Sequence, residues 1–129
     1  MSEGRGSASM NIVTMMISLI CLLFLAENIN AETHIVGGVK GWTFNTKNWP
    51  NGKEFSAGDV LVFNYNSKMH NVVAVDKAGY TSCKTPAAAG YQTFTSGSDQ
   101  IKLESGENYF ICNFPGHCQT GMKIFINAV

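Results

Sequence analysis

Hydrophobic and polar residues alternate in short runs along most of the chain. The clearest run covers residues 60–65, in which Leu61, Phe63 and Tyr65 share one face. This two-residue period is typical of a half-buried β-strand. Similar runs lie at residues 34–36, 71–75, 100–103, 108–112 and 123–127.

Clusters of Gly, Asn, Asp and Pro separate these runs, and helical periodicity is weak throughout. The pattern predicts an all-β domain, a Greek-key sandwich of about seven or eight antiparallel strands with only minor helix. Short helical turns are expected at residues 46–49 and near residues 81–84. The runs at 100–103 and 108–112 are expected to pair with each other across residues 105–107.

The N-terminal segment has a different pattern. Residues 12–26 are almost wholly apolar and follow a polar start that contains Arg5. The run is shorter than the ~20 apolar residues that a membrane span needs, and it is typical of a secretory signal peptide. We therefore predict that residues 1–31 are a signal peptide cleaved after Ala31, and that residues 32–129 form one domain. An uncleaved anchor is the alternative.

Charge changes this picture little. Residues 32–129 contain eight Lys and no Arg against seven Asp and Glu, so the predicted domain is close to neutral. This balance gives no support to binding of nucleic acid or of a membrane surface. No apolar tail follows the last run, so no glycolipid anchor is expected. A monomer is the default expectation.

The most informative residues lie near the C-terminus. Cys112, His117 and Met122 recur at steps of five, with a Pro-Gly turn at 115–116. His70 offers a second imidazole far upstream. One thiolate, two imidazoles and a weak thioether are the donors of a blue-copper site, in which soft sulfur and imidazole suit both oxidation states of the ion. These four residues are therefore the predicted copper ligands.

The strand pattern agrees with this site. Cys112 shares a face with Phe110, so its sulfur is expected to point into the domain, and Met122 opens the last apolar run. His70 comes from a separate loop, so only the folded chain can complete the site. Asn71 is expected to orient the site by tying the His70 loop to the Cys112 loop.

Two other chemistries compete with copper. Zinc also binds Cys and His, but structural zinc sites favour more thiolates or His residues in closely spaced pairs, and Met is a poor zinc ligand. A Cys–His nucleophile would need a third group that orients the imidazole, and also an oxyanion hole. The sequence supplies no obvious one, so we do not predict an enzyme.

Cys21 would leave with the signal peptide, and Cys83, Cys112 and Cys118 would remain. In an oxidising compartment two of the three should pair. If the backbone at residues 117–118 is extended, His117 and Cys118 face opposite ways and Cys83 becomes the partner of Cys118. The alternative pair, Cys112–Cys118, would consume the thiolate of the proposed site.

These residues together resemble the phytocyanins, the plant branch of the cupredoxins, and within them the plantacyanin or basic blue subgroup. The resemblance covers residues 34–129 and rests on the segments 36–38, 41–44, 55–65, 70–72 and 112–122. It implies a cupredoxin-like Greek-key sandwich, a Cys83–Cys118 disulfide and one type 1 copper on His70, Cys112, His117 and Met122. The near-neutral charge departs from the basic character common in the subgroup.

The resemblance also implies a secreted one-electron carrier in the apoplast or cell wall, with an unknown redox partner. The alternative from another class is an extracellular signalling or adhesion factor of reproductive tissue, in which copper is mainly structural. A smaller hypothesis concerns the predicted new N-terminus, Glu32-Thr33-His34, whose amine, amides and imidazole could bind Cu(II) in a square plane. Its alternative is an ordinary surface histidine at the start of a strand.

Overall fold

A computed structural model of the protein describes residues 11–21 and 31–129. Its contacts divide the chain into two units, Met1–Ala31 and Glu32–Val129. In the first unit, residues 11–21 are helical and their large apolar side chains are exposed. Within the described ranges, no helix combines the length and the apolar character needed to cross a membrane. The unplaced residues 22–30 include the rest of the predicted apolar run.

The second unit is built from seven strands in two sheets. The strands are β1 (Thr33–Ile35), β2 (Val60–Asn64), β3 (Val72–Val75), β4 (Gln92–Phe94), β5 (Ser98–Lys102), β6 (Gly106–Ile111) and β7 (Lys123–Ala128). One sheet has the order β1-β2-β5 and the other the order β4-β3-β6-β7. The predicted all-β sandwich is confirmed, but β1 pairs with β2 in parallel, whereas we expected antiparallel strands only.

The core fills the space between the sheets because the strands alternate as the sequence indicates. Leu61 and Phe63 of β2 are fully buried, as are Ile124 and Ile126 of β7, with Phe125 exposed between the last two. The main buried apolar cluster also contains Val36, Trp42, Phe55, Val72, Leu103, Phe110, Cys112 and Met122. Candidate site residues and core residues therefore belong to one packed body.

The predicted pairing of residues 100–103 with 108–112 is wrong. β5 pairs with β2, whereas β6 pairs with β3 and β7 in the other sheet. The side chain of Asn108 explains the crossing, because it accepts a hydrogen bond from the backbone N–H of Glu104 and donates to the carbonyls of Glu104 and Gly106. These bonds satisfy the turn locally and lead the chain from one sheet to the other.

The regular helix α1 covers Lys77–Ser82, so it begins before the turn that we expected near residues 81–84. Asp76 caps it by accepting a hydrogen bond from the N–H of Gly79 at 2.9 Å. Cys83 ends it in the left-handed conformation, with φ 58°. Residues 47–50 form a turn, as expected, in which Trp49 N–H donates to the Thr46 carbonyl.

Candidate metal centre

Three nitrogen and sulfur donors converge between two loops at one end of the sandwich. The Nδ1 atoms of His70 and His117 are 3.1 Å apart, and the sulfur of Cys112 lies 3.6 Å from Nδ1 of His117. Together they form the described group of three metal-binding side chains whose donor atoms all lie within 4.8 Å of one another. The fold thus brings together residues that are 47 positions apart in the chain.

His70 stands at the end of the loop between β2 and β3. Its backbone N–H donates to the carbonyl of Asn66 at 3.0 Å, which closes the loop as a tight turn. The side chain is 94% buried, with a relative exposure of 6%. Burial lowers the pKa of His70, and the neighbouring His117 lowers it further. A neutral imidazole with a free lone pair is the form that binds a metal.

Cys112 follows directly after β6 and is fully buried. Burial raises the pKa of its thiol, while hydrogen bonds from the backbone amides of Asn71 and Phe114 act in the opposite direction. Two N–H donors aimed at one sulfur favour the thiolate. A cation between the imidazoles would complete the stabilisation that burial opposes.

Met122 precedes β7 and belongs to the same buried cluster as Cys112. The backbone joins the three C-terminal site residues directly: Cys112 N–H donates to the Met122 carbonyl, and Met122 N–H donates to the His117 carbonyl, both at 3.1 Å. The ligand loop, defined here as residues 112–122, is therefore closed by its own hydrogen bonds.

Asn71 links the ligand loop to the His70 loop. Its side-chain amide donates to Oδ1 of Asn113 at 2.6 Å, and its own Oδ1 accepts from the backbone N–H of Asn113 at 3.0 Å. Asn113 also donates to the hydroxyl of Thr85 at 3.0 Å. The two loops are held in register by side-chain amides that lie beside the ligands rather than among them.

Phe44 is a site residue that the sequence pattern did not reveal. Its ring meets the edges of both imidazoles, with centroid distances of 5.4 Å to His70 and 4.7 Å to His117. The loop that carries Phe44 is joined to the ligand loop, because Asn45 N–H donates to the Thr120 carbonyl and Thr46 N–H to the Gly121 carbonyl. We treated Phe44 as core mass, since nothing local distinguishes a ring that packs on imidazoles.

His117 is the half-buried member of the group, while His70 and Cys112 are buried. Phe114 packs beside it with ring centroids 5.7 Å apart. Pro115 and Gly116 are exposed next to it, and the side chain of Met69 is 52% exposed beside His70. The imidazole of His117 is therefore the part of the group closest to solvent, within an apolar rim.

Cys83 and Cys118 form a disulfide with their Cα atoms 5.7 Å apart. Our premise for this pair was wrong, because His117 has φ −72° and ψ −48° and starts a 3-10 turn at Cys118–Thr120 rather than an extended segment. Cys118 nevertheless packs away from the site, in a second cluster with Val73 and Ile111. Among the described thiols, Cys112 is left free and buried.

The N-terminal residues are arranged differently from a square-planar chelate. Nε2 of His34 lies 2.9 Å from Oδ2 of Asp59, and the backbone nitrogen of Glu32 donates to Oδ1 of the same carboxylate at 2.9 Å. Thr33 and His34 are in β1 and pair with β2. Copper binding by this segment would require these contacts to break.

The donor set itself tests which metal fits. A thiolate and two imidazole Nδ1 atoms, with a buried thioether beside them, combine soft and intermediate donors in a water-poor pocket. Copper accepts this combination in both of its common oxidation states, whereas calcium and magnesium require oxygen donors and structural zinc prefers more thiolates. The residues present fit copper.

Comparison with known proteins agrees with this chemistry. Residues 42–122 match the family model described as a plastocyanin-like domain. The basic blue protein of Arabidopsis thaliana is 54% identical over the whole length of both chains. The chemocyanin of Lilium longiflorum is 49% identical over 99% of each.

A solved structure of cucumber basic protein, titled a blue copper protein, is 62% identical. It superposes with a TM-score of 0.73 and covers 75% of this chain and 99% of its own. The likeness spans the strands and both loops of the site. The chain belongs to the plastocyanin-like domain family and is a phytocyanin, a member of the cupredoxins.

Proposed function

We propose that this protein is a secreted carrier of single electrons that holds one type 1 copper ion. His70, Cys112, His117 and Met122 would hold the ion. The observation that carries the proposal is the convergence of the Cys112 sulfur and the two imidazole Nδ1 atoms, at 3.6 and 3.1 Å. Bound copper supplies reversible one-electron chemistry, and the relatives' names as blue copper proteins support the same cofactor.

The protein's contribution is a rigid and dry pocket. Phe44 packs on both imidazoles, and the amides of Asn71 and Asn113 join the two loops. Cys112 and Met122 are fully buried, which excludes water from the sulfur side. Donors that cannot move far between oxidation states keep the reorganisation small, and this favours fast electron exchange.

The His117 ring is the proposed point of electron entry and exit. It is the half-buried member of the group, and Phe114 packs beside it at the rim. A near-neutral domain with an apolar rim suits a brief encounter with a partner, in which no strong electrostatic steering is needed. The identity of that partner is a separate question.

The protein is not an enzyme: the relatives given above carry the names of blue copper proteins and chemocyanin, not of enzymes. We propose secretion into the plant cell wall after removal of residues 1–31. The apolar N-terminal run supports a signal peptide, and the Cys83–Cys118 disulfide suits an oxidising compartment.

A visible spectrum tests the copper assignment. The disulfide-intact protein with one equivalent of Cu(II) should show an intense blue band that bleaches with ascorbate, and Cys112→Ser should show none. The exposed Ser98→Ala variant serves as the control and should keep the band. A blue band in the Cys112→Ser protein would show that another residue is the sulfur ligand.

The signalling alternative requires a different experiment. A copper-free His70→Ala protein that performs as well as the wild type in a reproductive-tissue assay would remove the carrier function and leave copper with a structural role. Loss of function together with loss of the band would favour the carrier.

A further inference from the structure

The carboxylate of Asp59, directly before β2, is buried and faces the start of β1. Asp59 is 2% exposed. Its Oδ1 accepts a hydrogen bond from the backbone nitrogen of Glu32 at 2.9 Å, and its Oδ2 accepts from the backbone N–H of Ser56 at 3.0 Å. Nε2 of His34 lies 2.9 Å from the same Oδ2. Three groups thus converge on one carboxylate at the edge of the three-stranded sheet.

A buried carboxylate is costly unless a positive charge or enough donors compensate it. Burial alone would raise the pKa of Asp59, but the amides of Ser56 and Glu32 and the ring of His34 bring it below its usual value. Among the described residues, the ion pair recorded for Asp59 is with His34, which is charged only when protonated. The uncleaved chain therefore presents a negative charge without a permanent cation.

The nitrogen that faces Oδ1 is the one that processing would change. While Ala31 is attached, the Glu32 nitrogen is a neutral amide. Cleavage after Ala31 would turn it into an α-ammonium group, and a hydrogen bond between two charged groups is stronger than one between an amide and a carboxylate.

The backbone fixes the position of this nitrogen. The Glu32 carbonyl accepts a hydrogen bond from Val60 N–H at 2.9 Å, and the parallel pairing of β1 with β2 begins at Thr33 opposite Val60. A start one residue earlier or later would displace the amine along the strand by about 3.3 Å. The carboxylate therefore selects one start position.

We propose that Asp59 is the binding site for the α-amino group of the processed chain, so that cleavage between Ala31 and Glu32 itself stabilises the folded domain. This inference rests on the proposed secretion and removal of residues 1–31. It gives the maturation step a physical consequence, because the β1 edge of the sheet is held more firmly in the processed protein than in the precursor.

The test compares three forms of the domain in urea at pH 7. Glu32–Val129 is its own compact unit, and the solved cucumber relative matches over 99% of its length, so the domain can be studied without the leader. The forms carry a free amine at Glu32, an Nα-acetyl group at Glu32, or one additional residue, Ala31. Acetylation keeps an N–H donor and removes the charge, and the extension displaces the charge.

We expect the free-amine form to be the most stable, with an unfolding equilibrium constant about tenfold smaller than that of either modified form. In Asp59→Asn this difference should vanish. Asp99→Asn is the matched control, because Asp99 is also buried but bonds to Tyr65 and Ser96, so the difference should persist. If Asp59→Asn does not fold, the acetylated and free forms of the wild-type sequence still decide the question.

Equal stability of the free and acetylated forms would overturn the proposal, as would a difference that survives in Asp59→Asn. Mass spectrometry of the protein secreted from plant cells tests the start residue separately, and a start other than Glu32 would overturn the link to processing. Because stability is measured on the copper-free domain, these outcomes do not depend on whether the proposed copper function is correct.

Discussion

The indole N–H of Trp42 donates a hydrogen bond to the backbone carbonyl of Asn71, at 2.9 Å. Trp42 is 1% exposed, and its ring meets that of Phe63 edge to face, with 5.1 Å between the centroids. Asn71 follows His70 in the chain. The largest side chain of the core therefore also positions the loop that carries one of the proposed copper ligands.

Replacing Trp42 by Phe should lower the free energy of unfolding by about 1–3 kcal/mol, because the buried carbonyl of Asn71 loses its partner. The blue band of the copper-loaded protein should also shift, since the His70 loop is held less tightly. Urea unfolding and a visible spectrum measure the two effects. Trp49→Phe, at a half-buried indole that packs on Phe55, is the control and should leave the band in place.

Replacing Asn71 by Ala should weaken copper binding by about 10–100-fold, because both bonds to Asn113 disappear and the two loops lose their register. Competition with a chelator of known affinity measures this change. Asn71→Asp should have an intermediate effect, since its carboxylate can still accept from the Asn113 N–H. The exposed Asn127→Ala is the control, and an equal loss of affinity in that variant would contradict the explanation.

The double variant Cys83→Ala/Cys118→Ala should lose about 3–4 kcal/mol of stability in the chain-entropy model, since the disulfide closes a loop with a sequence separation of 35. It should remain blue with copper, because Cys112 is untouched. Urea unfolding and the visible band measure the two properties independently. A colourless but folded double variant would indicate that the disulfide, not only the loop's own bonds, sets the ligand geometry.

Stability should fall in acid through Asp59. Its pKa is lowered in the folded protein, so its contribution is fully present above the unfolded value, which is about 3.9, and is lost as the pH falls toward the folded value. Unfolding measured from pH 6 downward should therefore be less pH-dependent in Asp59→Asn than in the wild type. Part of the slope should remain, because Tyr91 and the Gly79 amide also lower the pKa of Asp76.

The sequence predicted the local features of the fold well, because burial of alternate residues is a local signal. The faces of β2 and β7 follow from it, as does the inward direction of Cys112 beside Phe110. Strand pairing did not follow, since the choice of partner for β5 and β6 depends on the Asn108 turn. β4 was missed because Gln92 and Thr93 are exposed and leave little apolar pattern.

The site shows the same division. The types and spacing of Cys112, His117 and Met122 were enough to predict a metal centre. The role of Phe44 was not accessible, because it depends on a loop that reaches the imidazoles from elsewhere in the chain. The helical backbone at His117 was also missed, since a single residue pair carries no periodic signal.

The separation of the donors along the chain has a consequence for folding. His70 precedes β3, and Cys112 follows β6, and these strands lie side by side with Val73 opposite Ile111. An unfolded chain cannot bring the donors together, so the charge-transfer colour can develop only after β3 has docked on β6. In a refolding experiment with Cu(II) present, the rise of the blue band would act as a clock for tertiary closure, while far-ultraviolet circular dichroism would time the strands alone.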